Sequence, residues 1–232
     1  MDREPTARPS RATVWALAAP LIAIAAVANV AEVIWPDLVN RHPLLLVAMN
    51  ARIRYLALTT NQLDWTPYYL VGFLRLVLPD PFYYLVGRHW GYRAVRWMER
   101  RLPSLGGAAR LLERGFVRAR WPLVFVMPNA AICLFAGASA MRVSTFAALN
   151  AAGTVARLAV VRTVGAVFKD PLDWVREEIA QYRLPLIALS AVLMALSLWS
   201  DARKGKGEIG ALTHLDDDLV DPPDRPGGEP QP

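Results

Sequence analysis

The sequence predicts an all-α, polytopic integral membrane protein with three to four spanning helices and two inverted re-entrant hairpins. Of its 232 residues, 54% are apolar and 20% are charged. The charges avoid several long runs and crowd into the segments between them. Residues 12–31, 121–141 and 184–200 carry no charge, and 143–167 carries only Arg157 and Arg162. Because a spanning helix needs about 20 mostly apolar residues, several such runs indicate a polytopic protein.

The first apolar run predicts a helix over residues 13–34 that ends at Trp35-Pro36. Trp35 suits the membrane interface, and we expect Glu32, near the same end, to lie there too. Because arginines precede the run, a cleaved secretory signal is an alternative interpretation. An uncleaved helix is favoured because the run is long for a signal and more membrane segments follow.

Two apolar pieces that are too short to span come next, residues 43–49 and 55–63. They predict the first hairpin, which enters from the outside and has Arg52 and Arg54 at its tip. These arginines would hold an anionic head group if the hairpin is re-entrant, and would be ordinary surface charges if it is a plain outer loop.

Proline and aspartate then divide the next apolar region. Thr66 is the expected N-cap of a helix over residues 68–78, with Pro67 in its first turn. Pro79 interrupts it, and Asp80 is expected to cap a fresh helix that runs into an arginine block. Arg75 lies five residues before Asp80 and is a candidate partner for its carboxylate.

The second half repeats this arrangement. The run 121–141 is broken near its middle at Pro128-Asn129, which predicts a second hairpin, entering from the opposite face. A helix over residues 143–167 and a last helix over 184–199 follow. Two dips from opposite faces, each followed by a crossing, form an inverted repeat of the kind that transporters use. Broken backbone at membrane depth persists only against protein or a wet cavity.

The distribution of Lys and Arg predicts the orientation. By the positive-inside rule, the N-terminal tail (1–12), the arginine-rich linker (88–120) and the C-terminal tail (201–232) are cytoplasmic. The membrane domain is 13–200, and residues 169–183 fall outside. The linker has nine arginines and two glutamates, and contact with anionic inner-leaflet lipids explains it more simply than nucleic acid. The acidic, Pro- and Gly-rich C-terminal tail reads as disordered.

Two short motifs resemble the DedA, or SNARE-associated (VTT-domain), family of membrane proteins, over roughly residues 43–168. The first comprises Asp80, Tyr83-Tyr84-Leu85-Val86-Gly87-Arg88 and Gly91; the second comprises Pro128, Ala136-Gly137, Met141, Phe146, Asn150 and Gly153. The resemblance implies two re-entrant hairpins and transport or scrambling of lipids in the plasma membrane. For bacterial members it includes recycling of polyprenyl-phosphate carriers, often with a proton gradient implicated.

The chain departs from the family pattern at three places. Phe125 and Ala131 stand where the family usually has arginines flanking the proline of its second hairpin. The spacing from Pro128 to the next motif is about two residues short. His42-Pro43-Leu44 replaces the usual acidic residue of the first hairpin. Because of these departures, the resemblance does not identify the substrate of this chain or the ion to which transport is coupled.

Arg157 is the leading candidate for a phosphate site. Asn150, Thr154 and Arg157 are spaced i, i+4, i+7, which places them on one face of a helix. A polar seam between helices is the alternative. Arg162 lies nearer the helix end and could snorkel to the interface. The substrate-binding candidates are therefore Arg157, Arg52, Arg54, Arg75, Asp80, Asn150 and Asn129.

The sequence gives little support for an enzyme. His42, His89 and His214 are scattered without metal-ligand spacing, and no HExxH, GxSxG or phosphate-binding glycine loop occurs. Cys133 is the single cysteine. We therefore expect no catalytic residue, no metal and no cofactor. The expected function is transport or scrambling of a phosphate-bearing lipid, such as a polyprenyl phosphate or a phospholipid. A non-transporting membrane scaffold for envelope assembly is the alternative, and homo-oligomerisation is left open.

Overall fold

The computed structural model describes residues 11–91, 93–94, 121–126 and 129–204. Every regular element in these ranges is an α-helix. Four stretches are long and apolar enough to cross a membrane, as the sequence predicts: Thr13–Arg41, Trp65–Trp90, Val143–Val167 and Arg183–Ser200. The predicted N-terminal tail up to residue 10, most of the arginine-rich linker and residues 205–232 lie outside the described ranges.

Helix α1 (Arg11–Arg41) is longer than the sequence predicts, and Pro36 lies inside it. The predicted end at Trp35-Pro36 is therefore wrong. Leu38 and Val39, beyond the proline, are 5% and 0% exposed and pack with Leu46 of the next helix. This apolar contact offsets the hydrogen bond that the proline removes from the helix.

Two short helices, α2 (Pro43–Met49) and α3 (Ile53–Thr59), follow where the first hairpin is predicted. Asn50 ends α2 in an extended conformation, and Arg52 precedes α3 in another. The Asn50 side chain donates to the carbonyl of Ala28, so the turn lies beside the middle of α1. Penetration of this hairpin into a bilayer remains a prediction.

The second spanning stretch consists of α4 (Trp65–Val77) and α5 (Asp80–Trp90), which are separated by a turn at Leu78 and Pro79. Asp64, not Thr66, is the N-cap residue of α4. Asp80 is the first residue of α5, and no side chain caps that helix. The predicted break is thus present, but capping is not what the Asp80 carboxylate does.

The second half begins with a helical segment at 121–126 and continues with α6 (Ala130–Ala138). Asn129 is the N-cap of α6, and its side chain accepts a hydrogen bond of 3.0 Å from the backbone N–H of Ile132. Pro128 lies outside the described residues. Helix α7 (Val143–Val167) has the predicted bounds. A surface helix, α8 (Lys169–Gln181), and α9 (Arg183–Lys204) complete the described chain.

The two motif stretches meet where α5 crosses α6. A Cβ atom on Gly87 would lie 1.9 Å from the carbonyl oxygen of Leu134, and one on Gly137 would lie 2.0 Å from that of Tyr84. Only glycine permits this approach of two backbones. The Tyr84 hydroxyl also donates to the carbonyl of Met141 at 2.5 Å, which fixes the segment that leads into α7. The crossing holds Asp80, at the start of α5, against α7.

Candidate functional site

A cavity of about 340 Å³ lies at the middle of the helices, and we call it the central cavity. It is formed by the central part of α1, the turn between α2 and α3, the α4–α5 break, the start of α6, and α7. Five of the seven predicted site residues line it: Arg52, Arg75, Asp80, Asn129 and Arg157. The sequence separates these five by up to 105 positions, and the fold brings them together.

Asp80 is joined to α7 through Asn150. The Asn150 amide donates to a carboxylate oxygen of Asp80 at 2.8 Å, and the two residues are 5% and 2% exposed. The thiol of Cys133, on α6, lies near this carboxylate and interacts with it electrostatically. A buried carboxylate needs such donors because it has lost its water. Asn150 therefore belongs to the site through Asp80, although it does not itself line the cavity.

Arg157 is the predicted centre of the site, and its charge interacts with that of Asp80. Its side chain is only partly exposed. The Nε atom is buried and has no hydrogen-bond partner among the residues that the structure describes. Thr154, one turn earlier, is 1% exposed. The predicted stripe of Asn150, Thr154 and Arg157 thus faces the protein interior.

Arg75 stabilises the first hairpin from α4. Its Nε donates to the carbonyl of Met49 at 3.0 Å, and an Nη donates to that of Ile24 at 3.3 Å. These bonds satisfy a carbonyl at the end of α2, which the helix itself leaves open. Arg75 therefore lines the cavity and also holds its hairpin wall in position.

Glu32 holds the tip of the first hairpin, a role that the sequence analysis did not give it. Its carboxylate accepts hydrogen bonds from Arg52, Arg54, the Asn50 amide at 2.8 Å and the Tyr55 hydroxyl at 2.9 Å. The side chain is 11% exposed. The depth of Glu32 in a membrane stays a prediction, whereas its burial among these donors is a feature of the structure. Two arginines at a hairpin tip with no acid on the hairpin itself are the signal that could have pointed to it.

Arg54 and Arg162 lie outside the central cavity. Arg54 pairs with Glu32 and lies over the ring of Tyr55. Arg162 donates to the carbonyl of Leu63 at 3.1 Å and stacks over Trp65 and Tyr68, with distances of 4.7 and 4.8 Å to the ring centres. Arg162 is thus held by α4 and the loop before it, while one of its Nη atoms is buried without a hydrogen-bond partner among the described residues.

The composition of the central cavity suits an anion. Three guanidinium groups and one carboxylate line it, together with the amide side chains of Asn50 and Asn129. The planar fork of arginine binds phosphate through paired hydrogen bonds and stays charged in a buried site. No group of three or more His, Cys, Asp or Glu side chains in the described residues is placed to hold a metal ion.

Comparison with known proteins adds no neighbour: no family model, no curated protein and no solved structure matches the chain. The resemblance to the DedA family therefore stays a prediction from the motifs.

Proposed function

We propose that the protein transports or scrambles a phosphate-bearing lipid across the plasma membrane, and that the central cavity binds the phosphate. The observation that carries this proposal is the convergence of Arg52, Arg75 and Arg157 on one cavity beside the middle of α1 and α7. Charged groups at membrane depth are costly and usually mark a substrate path.

In this proposal the two hairpins form the path along which the lipid head group crosses the membrane. In the proposal both are re-entrant, and they open the cavity alternately to the two sides of the membrane. Arg52 belongs both to the cavity and to the Glu32 cluster. A phosphate that enters would draw Arg52 away from Glu32, which loosens the tip of the first hairpin. In this scheme, binding and opening are coupled through one side chain.

The orientation and the lipid contacts complete the proposal. Both termini and the arginine-rich linker face the cytoplasm, where the linker contacts anionic lipids of the inner leaflet. The helix α8 then lies outside. A polyprenyl phosphate and a phospholipid both carry the phosphate that the cavity would bind.

The test replaces Arg157 in the purified full chain, reconstituted into liposomes that carry a fluorescent phosphate-bearing lipid. Translocation is measured by chemical quenching of the outer leaflet. Arg157→Lys keeps the charge and loses the fork, and Arg157→Gln loses the charge. We expect rates in the order Arg, Lys, Gln. The Gln variant should be slower by about tenfold or more, because a hydrogen bond to a charged group contributes about 1.5–3 kcal/mol.

Arg162→Lys is the matched control, since this arginine lies on the same helix but contacts Trp65 and Tyr68 instead of the central cavity. It should translocate lipid at the parent rate. Equal rates for the parent and both Arg157 variants would refute the phosphate site. If both Arg157 variants yield less folded protein to the same extent, Arg157 belongs to a polar contact between helices that is needed for folding. Absence of translocation by the parent would favour the scaffold.

A further inference from the structure

A second cavity lies on the other side of Arg157, and we call it the apolar groove. Its volume is about 510 Å³. Its walls come from α3, the helical segment 121–126 and α7. Among the described residues that line it, Arg157 alone is ionisable: Ile53, Ala57, Phe125, Val126, Gly153, Ala156, Arg157, Val160, Val161 and Val164.

The groove is shaped by a close contact between α7 and the segment 121–126. A Cβ atom on Gly153 would lie 2.1 Å from the carbonyl oxygen of Phe125, so the two backbones nearly touch at that point. The groove is also open at its side. Val126, Val160 and Val164 are 66%, 61% and 50% exposed. Val160 and Val164 lie on α7, a candidate spanning helix, where exposed valines would face lipid. In a bilayer the groove would therefore open sideways to the lipid.

We propose that the apolar groove holds one hydrocarbon chain of the lipid whose phosphate occupies the central cavity. This inference rests on the proposed function. Arg157 lines both cavities, one with three guanidinium groups and one with apolar walls. An amphiphile is the ligand class that matches this pair, since its charge and its chain meet at one point.

The position of Arg157 supports the same ligand. Its Nε atom is buried without a partner in the described part of the chain. A buried donor without an acceptor is costly, and a phosphate at the boundary of the two cavities supplies acceptors. The chain leaves the phosphate toward the bilayer, so the lipid enters sideways without exposing its chain to water.

The experiment compares a head group alone with a head group that carries a chain. Purified full-length protein in an uncharged detergent is titrated with inorganic phosphate and with hexadecyl phosphate, and binding is measured by calorimetry. Val160→Trp and Ala57→Trp narrow the groove from opposite walls. Each should weaken the binding of hexadecyl phosphate by about tenfold or more, which is the discrimination that an apolar pocket shows between ligands of different size. Affinity for inorganic phosphate should match the parent.

Val155→Trp is the matched control, because Val155 lies on α7, is 48% exposed and does not line the groove. It should bind both probes like the parent, whereas Arg157→Gln should weaken both. Parent-like binding of hexadecyl phosphate by both groove variants would overturn the inference and leave the phosphate site standing. Equal loss of both probes in the groove variants would overturn it as well. Binding of neither probe by the parent would overturn the proposed function itself.

Discussion

The crossing of α5 and α6 gives the sharpest stability prediction. Gly87→Ala would place a methyl group 1.9 Å from the carbonyl oxygen of Leu134, where ordinary contacts begin at 3.4 Å. The helices must therefore separate by about 1.5 Å, because the obstacle is backbone and cannot rotate away. A gap of about 1 Å already removes a quarter to a half of the attractive energy of each dispersion contact. We expect a loss near the top of the overpacking range, about 3 kcal/mol.

Thermal unfolding in detergent measures this loss through the single thiol of the chain. Cys133 lies on α6, is 0% exposed and reacts with a fluorogenic maleimide once the helix pair opens. A loss of about 3 kcal/mol should lower the Tm by about 6–12 °C in a protein of this size. Gly137→Ala should behave alike, because its Cβ would lie 2.0 Å from the carbonyl oxygen of Tyr84.

A double variant, Gly87→Ala with Gly137→Ala, and a control variant test whether the crossing of α5 and α6 causes the loss of stability. Both alanines need the same separation of the helices, so the double variant should lose less than the sum of the single losses by about 1 kcal/mol or more. Gly72→Ala is the control, since its Cβ would meet only the ends of side chains, Leu158 at 3.1 Å and Leu56 at 3.6 Å, and no backbone atom. It should unfold within about 2 °C of the parent. Crossing variants that are no less stable than this control would refute the argument.

Two further predictions concern the hairpin and the topology. Glu32→Gln removes the charge that holds the hairpin tip, whose arginines are 57% and 55% exposed. Solvent screening weakens these ion pairs, so we expect amide hydrogen exchange in α3 to be about 5–30-fold faster than in the parent. Asp37→Asn, which removes an acid from another ion pair of α1, is the control. Exchange at the parent rate in Glu32→Gln would contradict the role of Glu32. Single cysteines at Asp173 and Ser200 in a Cys133→Ala background should be labelled from outside only at Asp173, and outside labelling at Ser200 would refute the inverted repeat.

Much of the fold could be predicted because membrane helices carry strong local signals. Helix α7 was predicted with its observed bounds, since a long, mostly apolar run begins just after Arg142. The break before Asp80 was predicted from the two prolines beside it. Pro36 misled the prediction of α1 because the same local signal is overridden there by the packing of Leu38 and Val39. A proline rule cannot include contacts that are distant in sequence.

The types of residue that line the central cavity could be predicted from the sequence, but their hydrogen-bond partners could not. Arginines and Asp80 in apolar surroundings stand out in the sequence because their burial is costly. The bond between Asp80 and Asn150 spans 70 residues, so no local pattern indicates it. The cluster around Glu32 is hidden for a related reason, because its donors lie 18–23 residues further along the chain. The two cavities that share Arg157 follow only from three-dimensional packing.

The last helix has a consequence for how the protein is assembled. Helix α9 packs mainly on α1, and none of its most apolar stretch is buried. None of the residues of α9 whose side chains the structure describes lines the central cavity. Because α1 precedes α9 in the chain, the side of α1 that packs on α9 stays uncovered until α9 has been synthesised. The central cavity can therefore form before α9 is made, and α9 then covers one side of α1.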